Sequence, residues 1–156
     1  MAANPPRVPP LPPRLFVRAA WAAHRALYRL TGRRRGLWRP TEGKWGAMRL
    51  RTTGRQTGRD RAAILAYLED GDRLFALAMN GWAAPEPAWW LNLQADPDAV
   101  AELVGETRPV RARAAEGAER DRLWARMREV GDDIDGYARR RPGGTAVVVL
   151  EPRPSP

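Results

Sequence analysis

Three arginines, Arg55, Arg59 and Arg61, crowd around Gly54 and Gly58 in the stretch WGAMRLRTTGRQTGRDR, residues 45–61. Guanidiniums at this density can grip phosphate or carboxylate groups through paired hydrogen bonds. The glycines let the backbone approach a ligand, and unpaired N–H groups in such a turn form a nest for an anion. No Lys-Ser or Lys-Thr follows the second glycine, so the loop is not a nucleotide-binding P-loop. The same composition also suits a solvated hairpin, and residue types alone leave both readings open. A second chemical feature is aromatic. In NGWAAPEPAWWLNL, residues 80–93, Trp89 and Trp90 are neighbours on a short helix, where adjacent side chains diverge by about 100°. They cannot share one core slot: either one reaches a cleft or both cap the fold. Asp132, Asp133 and Asp135 could chelate a divalent metal. They fall at a helix start, however, where carboxylates complement the dipole, and capping is the better reading.

The elements that must position these groups follow from periodicity. Met48 and Leu50 alternate with Arg49 and Arg51, the period-2 signature of a half-buried strand leading into the arginine loop. Residues 61–69 and 72–79 read as two strands joined at Asp70-Gly71, a type I′ hairpin signal. Ile64, Leu65, Tyr67, Leu74, Phe75 and Leu77 place apolar groups on both faces, as in a sheet curling into a barrel. Residues 100–105 and 108–115 form another hairpin. Leu123, Trp124, Met127 and Val130 mark the core stripe of a helix over 116–130, a short helix carries Tyr137, and TAVVVL (145–150) is a buried strand. The fold class is α+β: about six mostly antiparallel strands in a small barrel with flanking helices.

Upstream, residues 1–13 form a Pro-rich disordered arm. Residues 14–44 comprise a helix from Pro13 to about Leu30 and a linker, Thr31–Lys44, containing Arg33-Arg34-Arg35. At helical spacing Arg14, Arg18, Arg25 and Arg29 share one narrow face. Leu15, Phe16, Ala19, Ala23, Leu27 and Leu30 lie opposite, with Trp21 and Tyr28 toward the boundary. Such a helix packs on its own domain or rests on an anionic membrane surface. The barrel domain spans 45–152, and 153–156 is a loose tail.

Composition narrows the chemistry. The chain has 156 residues, no cysteine, a single histidine (His24) and a net charge of +9, with Lys44 its only lysine. Disulfides, thiolate zinc sites and cysteine nucleophiles are excluded; a multi-histidine metal site or a triad-type base is nearly so. No metal is expected. No apolar run spans a bilayer and arginines interrupt any leader-like segment, so the expected compartment is the cytoplasm, with the inner face of the membrane as a peripheral site. Basicity permits nucleic acid, acidic lipid or an anionic cofactor. The tryptophans cluster in a helix and turns instead of alternating with arginines across a sheet, which argues against nucleic acid.

The ordered set LRTTGRQTGRDR, YLEDGDRL, NGWAAPEPAWWLNLQADPDA, AEGAERDRLWARM and VVVLEP resembles the deazaflavin-dependent nitroreductase family over roughly 45–152. The resemblance implies a split β-barrel like that of flavin reductases and FMN-binding proteins. It implies coenzyme F420, a deazaflavin with a phosphate and an oligoglutamate tail; FMN is the alternative. Arg55, Gln56, Thr57 and Arg61 match the loop that holds the phosphate and tail. Ala63, Ile64 and Leu65 match the strand behind the ring. Met79, Asn80 and Gly81 match the turn at its other end, while Trp89 and Asn92 close the pocket. Tyr137 matches a substrate-side tyrosine and is the candidate catalytic residue, with the proton expected from it or from water. Trp82 and Trp90 are added to the substrate cleft because flat apolar faces suit quinones and aromatics. Gln56 stands where a lysine is common, Met79 and Asn80 where some relatives carry serine and lysine, and Gly131 and Ile134 where further tyrosines occur. The implied activity is hydride transfer from reduced F420 to a quinone, nitroaromatic or activated alkene, a small hydrophobic electron acceptor, with a homodimer as a common assembly. The competing reading is a non-catalytic barrel that binds a lipid or cofactor.

Overall fold

The computed structural model describes residues 10–31, 36–83 and 85–154. The arginine run 33–35 and most of the N-terminal arm lie outside them. Six strands close into one antiparallel barrel in the order β1-β2-β3-β6-β5-β4: β1 Gly46–Thr53, β2 Asp60–Asp70, β3 Arg73–Leu77, β4 Asp98–Leu103, β5 Glu106–Ala114 and β6 Val147–Pro152. Four helices accompany them: α1 Arg14–Leu30, α2 Ala88–Ala95, α3 Gly117–Val130 and α4 Ile134–Ala138. The expected linker is more ordered than its composition suggests, since Trp38 bridges to Ala47 and Thr41 to Lys44.

Period-2 alternation sets the inside and the outside. Met48, Leu50, Leu74, Ala76, Val148 and Leu150 fill the barrel. Their neighbours Phe75, Leu77, Val147 and Val149 point the other way and pack with Leu123, Trp124 and Met127 of α3. The two apolar faces of β3 and β6 are therefore explained by the helix laid against the barrel, not by barrel closure alone.

The β2–β3 hairpin differs in detail from the sequence expectation. Asp70 pairs with Arg73, so Gly71-Asp72 forms the loop. Gly71 has φ of 65° and Asp72 is not among the residues with positive φ, the sign pattern of a type II′ turn instead of I′. The acidic residues before α4 act as expected: Asp133 is the N-cap, and its carboxylate accepts from the Gly136 N–H at 3.0 Å.

Ion pairs tie the hairpin to α3. Asp70 accepts from Arg122 at 2.8 and 2.9 Å and from Arg73 at 3.1 Å, while Glu119 accepts from Arg113 at 2.6 and 2.9 Å. Hydrogen bonds from Arg122 and from Arg113 hold the carboxyls of Asp70 and Glu119, respectively, below their ordinary values, against the upward push of desolvation. A carboxyl depressed in the folded state contributes stability that is complete above its unfolded pKa and is lost as pH falls through its folded pKa. The melting temperature is accordingly expected to be flat from roughly pH 7 to pH 5 and to fall below about pH 4. Asp70→Asn should blunt that fall; an unchanged acid profile in thermal unfolding would remove Asp70 from the account.

Candidate functional site

Helix α1 lies across the outer side of the barrel wall. Near its C-terminal end, buried Tyr28 donates from its hydroxyl to Glu102 of β4 at 3.1 Å, and the Arg49 guanidinium sits 5.8 Å from the Tyr28 ring centre. Trp21, His24, Trp38 and Trp45 form a ladder with ring spacings of 5.9, 6.2 and 5.7 Å. Toward the other end, Val17 approaches Gly81 so closely that a Cβ there would lie 3.6 Å from it. The face that meets the barrel is thus the Val17–Trp21–His24–Tyr28 edge. The large apolar residues of the opposite stripe are exposed, with Leu15 at 80% and Leu30 at 86%.

Between α1 and the barrel is a cavity of about 1090 Å³, at the upper end of the range that encloses small-molecule ligands. The loop after β1 contributes Arg55, Gln56 and Thr57, and β2 contributes Arg61 and the run Ala62–Leu65. The turn after β3 supplies Met79, Asn80 and Gly81, and α2 supplies Trp89 and Asn92. All twelve residues expected around a cofactor share this one wall. The roof went unread in the sequence: Arg18, Trp21 and Arg25 of α1 also line the cavity. Their recurrence on one helical face was visible, but nothing in the pattern said that the face turns inward. Among the described residues no Asp or Glu lines the cavity.

The arginine loop is held from beneath by Asn92, only 4% exposed. Its Oδ1 accepts from the Arg55 backbone N–H at 3.2 Å and from Arg55 Nη1 at 3.3 Å, and its Nδ2 donates to Thr52 Oγ1 at 3.1 Å. Asn92 therefore positions the loop. Gly54 is closely packed: a Cβ would meet Arg59 O at 3.0 Å and Arg61 Cγ at 3.2 Å. Gly58 supplies a left-handed φ of 67°. The expected nest of free N–H groups is not what forms. The N–H groups of Gly54, Arg55, Thr57, Gly58 and Arg59 all donate within the loop or to Asn92, because so tight a turn satisfies itself. Attraction for an anion is left to the guanidiniums. The nearby carboxylate, Asp60, is neutralised by Arg51, which donates to it at 2.7 and 2.9 Å.

Three expected residues do not line the cavity. Trp90 is 7% exposed and belongs to the barrel core, while Trp89, tilted 58° to it, reaches the cavity wall. The divergence of adjacent helical side chains thus sends only one tryptophan to the site. Trp82 stacks on Tyr137 with ring centres 5.9 Å apart and planes 16° from parallel. Trp82, at a left-handed φ of 61°, packs against the cluster beneath α3 and α4. Tyr137 is thereby engaged behind the Met79–Gly81 turn, and its position does not support direct proton delivery into this cavity.

A residue that the sequence reading passed over ties the walls together. Arg141, 3% exposed, donates from Nη1 to the Ala78 carbonyl and to Thr145 Oγ1, and from Nη2 to Glu86 Oε1 at 3.0 Å. Ala78 leads into the Met79–Gly81 turn and Glu86 into Pro87 and α2, so one buried guanidinium fixes both approaches. It sits at the end of the run Arg139-Arg140-Arg141.

The family model described as F420H(2)-dependent quinone reductase matches residues 23–152. Named relatives include an F420H(2)-dependent quinone reductase of Mycobacterium tuberculosis, 32% identical over 133 residues that cover 83% of this chain and 88% of that protein. A second M. tuberculosis protein, given the same activity by name, is 33% identical over 99 residues, 64% of this chain and 83% of that one. Among solved structures, an F420-H2 dependent reductase (FDR-A) superposes with a TM-score of 0.62 at 24% identity, covering 67% of this chain and 93% of the other. The heme storage protein HutZ of Vibrio cholerae shares the barrel at a TM-score of 0.50 and 16% identity, over 70% of this chain and 82% of the other. At such identities these structural likenesses speak to the split-barrel fold alone.

Proposed function

Because the chain belongs to the F420H(2)-dependent quinone reductase family, and is thereby an F420-dependent oxidoreductase, we propose that it reduces a quinone held against the cofactor beneath α1. Nitroaromatics and activated alkenes are further acceptor classes in this reading. The observation that carries it is the joining of a carboxylate-free, arginine-lined loop to an aliphatic strand face in one roofed cavity. That pairing fits a molecule with a flat ring at one end and negative charge at the other.

When bound, reduced F420 supplies a hydride from its central ring. The remaining work belongs to the chain. Arg55 and Arg61 hold the anionic end, with Thr57 and Gln56 adding polar contacts in place of the lysine charge common in relatives. Ala63, Ile64 and Leu65 offer short or aliphatic side chains on which a ring can lie flat. Met79, Asn80, Gly81 and Trp89 bound its other edges. Helix α1 limits water and keeps donor and acceptor in register, which is where most of the rate advantage of such a site arises. Solvent supplies the proton at the cavity mouth.

Titration of the purified full chain with oxidised F420 and FMN, followed by turnover of reduced F420 with menadione, tests this reading. Selective F420 binding with menadione reduction is expected; binding with no turnover of any acceptor class would overturn it. The exposed stripe of α1 carries the second half of the proposal, a peripheral contact with an anionic membrane surface at the cytoplasmic face through residues 14–35. Among the described residues no helix is long and apolar enough to cross a membrane. Sedimentation of the same preparation with anionic vesicles tests the contact. Dimerisation without lipid association would instead assign the stripe to a second copy.

A further inference from the structure

A second cavity, of about 480 Å³, continues beneath the C-terminal half of α1, lined by Arg25, Tyr28, Arg29, Arg49, Ala62, Ala63 and Ile64. It shares Arg25 and the stretch Ala62–Ile64 with the first, so the two are neighbouring parts of one groove between helix and β2. Again, among the described residues no carboxylate lines it.

The arginines around this groove differ from those elsewhere on the barrel. Arg49, Arg51, Arg73, Arg108, Arg111 and Arg113 on the strands each form an ion pair. Among the described residues, Arg18, Arg25, Arg29 and Arg61 form none. Arg49 is committed to Glu102 at 2.7 Å and to the Tyr28 ring, which leaves Arg25 and Arg29 as the cations available to a ligand. Both residues are exposed, so ordering them over a ligand costs side-chain entropy that only an opposite charge would offset. Aliphatic Ala62, Ala63 and Ile64 provide the floor and no competing acceptor. Reach is adequate. Arg61 and Ile64 are three residues apart on β2, about 10 Å at strand rise, the length of two or three peptide-linked units.

We propose that the second cavity is a carboxylate-binding subsite, in which Arg25 and Arg29 of α1 receive acidic groups of a ligand already seated in the first cavity. This rests on the F420 reading above. The carboxylates belong either to the cofactor's glutamate tail beyond the reach of Arg55 and Arg61, or to an acidic electron acceptor lying beside the ring. In either case α1 is a cationic strap closing over its ligand, and the cofactor site is completed by a helix outside the barrel.

The test compares the full chain with Arg25→Gln, Arg29→Gln and the double variant, and with Arg14→Gln as a control from the same arginine stripe that lines neither cavity. Fluorescence titration measures affinity for F420 carrying several glutamates and for the form carrying none. The double variant is expected to bind the polyglutamylated form about tenfold more weakly, a loss that shrinks at high salt, while the form without glutamates changes less than about twofold. If tail length has no influence but KM for a carboxylate-bearing naphthoquinone rises relative to menadione, the acceptor is the source of the acidic group and the subsite stands. Equal losses for every ligand, no loss for any, or the same loss in Arg14→Gln would overturn it. Failure of the unsubstituted chain to bind F420 at all would instead refute the function proposed above. Thermal unfolding of each variant separates lost binding from lost structure.

Discussion

Replacing Arg55 and Arg61 together by alanine is expected to weaken F420 binding about a hundredfold. A charge-assisted hydrogen bond contributes roughly 1.5–3 kcal/mol when well formed, and solvent reduces each of these exposed contacts to about 1.4 kcal/mol, a factor of ten apiece. The loop should survive the change. Its turn is held by Gly54 and Gly58 hydrogen bonds and by the Arg55 backbone N–H on Asn92, none of which needs a guanidinium. The diagnostic comparison is a deazaflavin lacking both phosphate and tail, whose affinity should change little in the same titration. A parallel loss for that analogue would mean that the substitutions damage the ring site, and the anion-gripping role assigned to the pair would fall.

Arg141→Met carries the largest expected cost in stability, about 3 kcal/mol. The guanidinium is buried and bound to Ala78, Thr145 and Glu86 at once. Methionine fills comparable volume but leaves the Ala78 carbonyl without its side-chain donor and the Glu86 carboxylate without its counter-charge. Two cavity walls, the turn at Met79–Gly81 and the entry to α2, lose their common tether in the same step. Chemical denaturation is expected to show a lower midpoint with an unchanged slope, and F420 affinity should fall although Arg141 does not line the cavity. Arg141→Lys, which keeps the charge with fewer donors, should recover part of both losses. A loss within about 0.5 kcal/mol for the methionine variant would show that the clamp is dispensable.

The contrast between these two sites marks what could be read from sequence. Arg55 stands in a loop whose glycines announce a turn and Arg61 at the start of β2, next to a strand whose alternation fixes inside and outside, so local rules were enough to place both beside that turn. Arg141 ends a run of three arginines, and only tertiary folding distinguishes the buried one from its neighbours. Which face of helix α1 meets the barrel was hidden for a related reason. Amphipathic patterning assumes that the apolar stripe turns inward. Here a narrow edge of Val17, Trp21, His24 and Tyr28 makes the contact, leaving Phe16, Leu27 and Leu30 outside and bringing Leu15, Arg18 and Arg25 to the rim of the cavity. Tyr137 was placed by resemblance and Trp82 by the chemistry of its flat face, and neither ground encodes the left-handed turn at Trp82 that stacks the two rings on each other.

The six strands close in a ring, yet among the described residues β3 takes up just the Leu68–Asp70 end of β2, and the stretch from Asp60 to Tyr67 pairs with β1 alone. Its other backbone edge runs along the cavity that α1 roofs. A bare edge of this kind invites a passing chain to add a strand. The helix therefore serves as a guard as well as a roof, and exchange of partners would begin with its displacement.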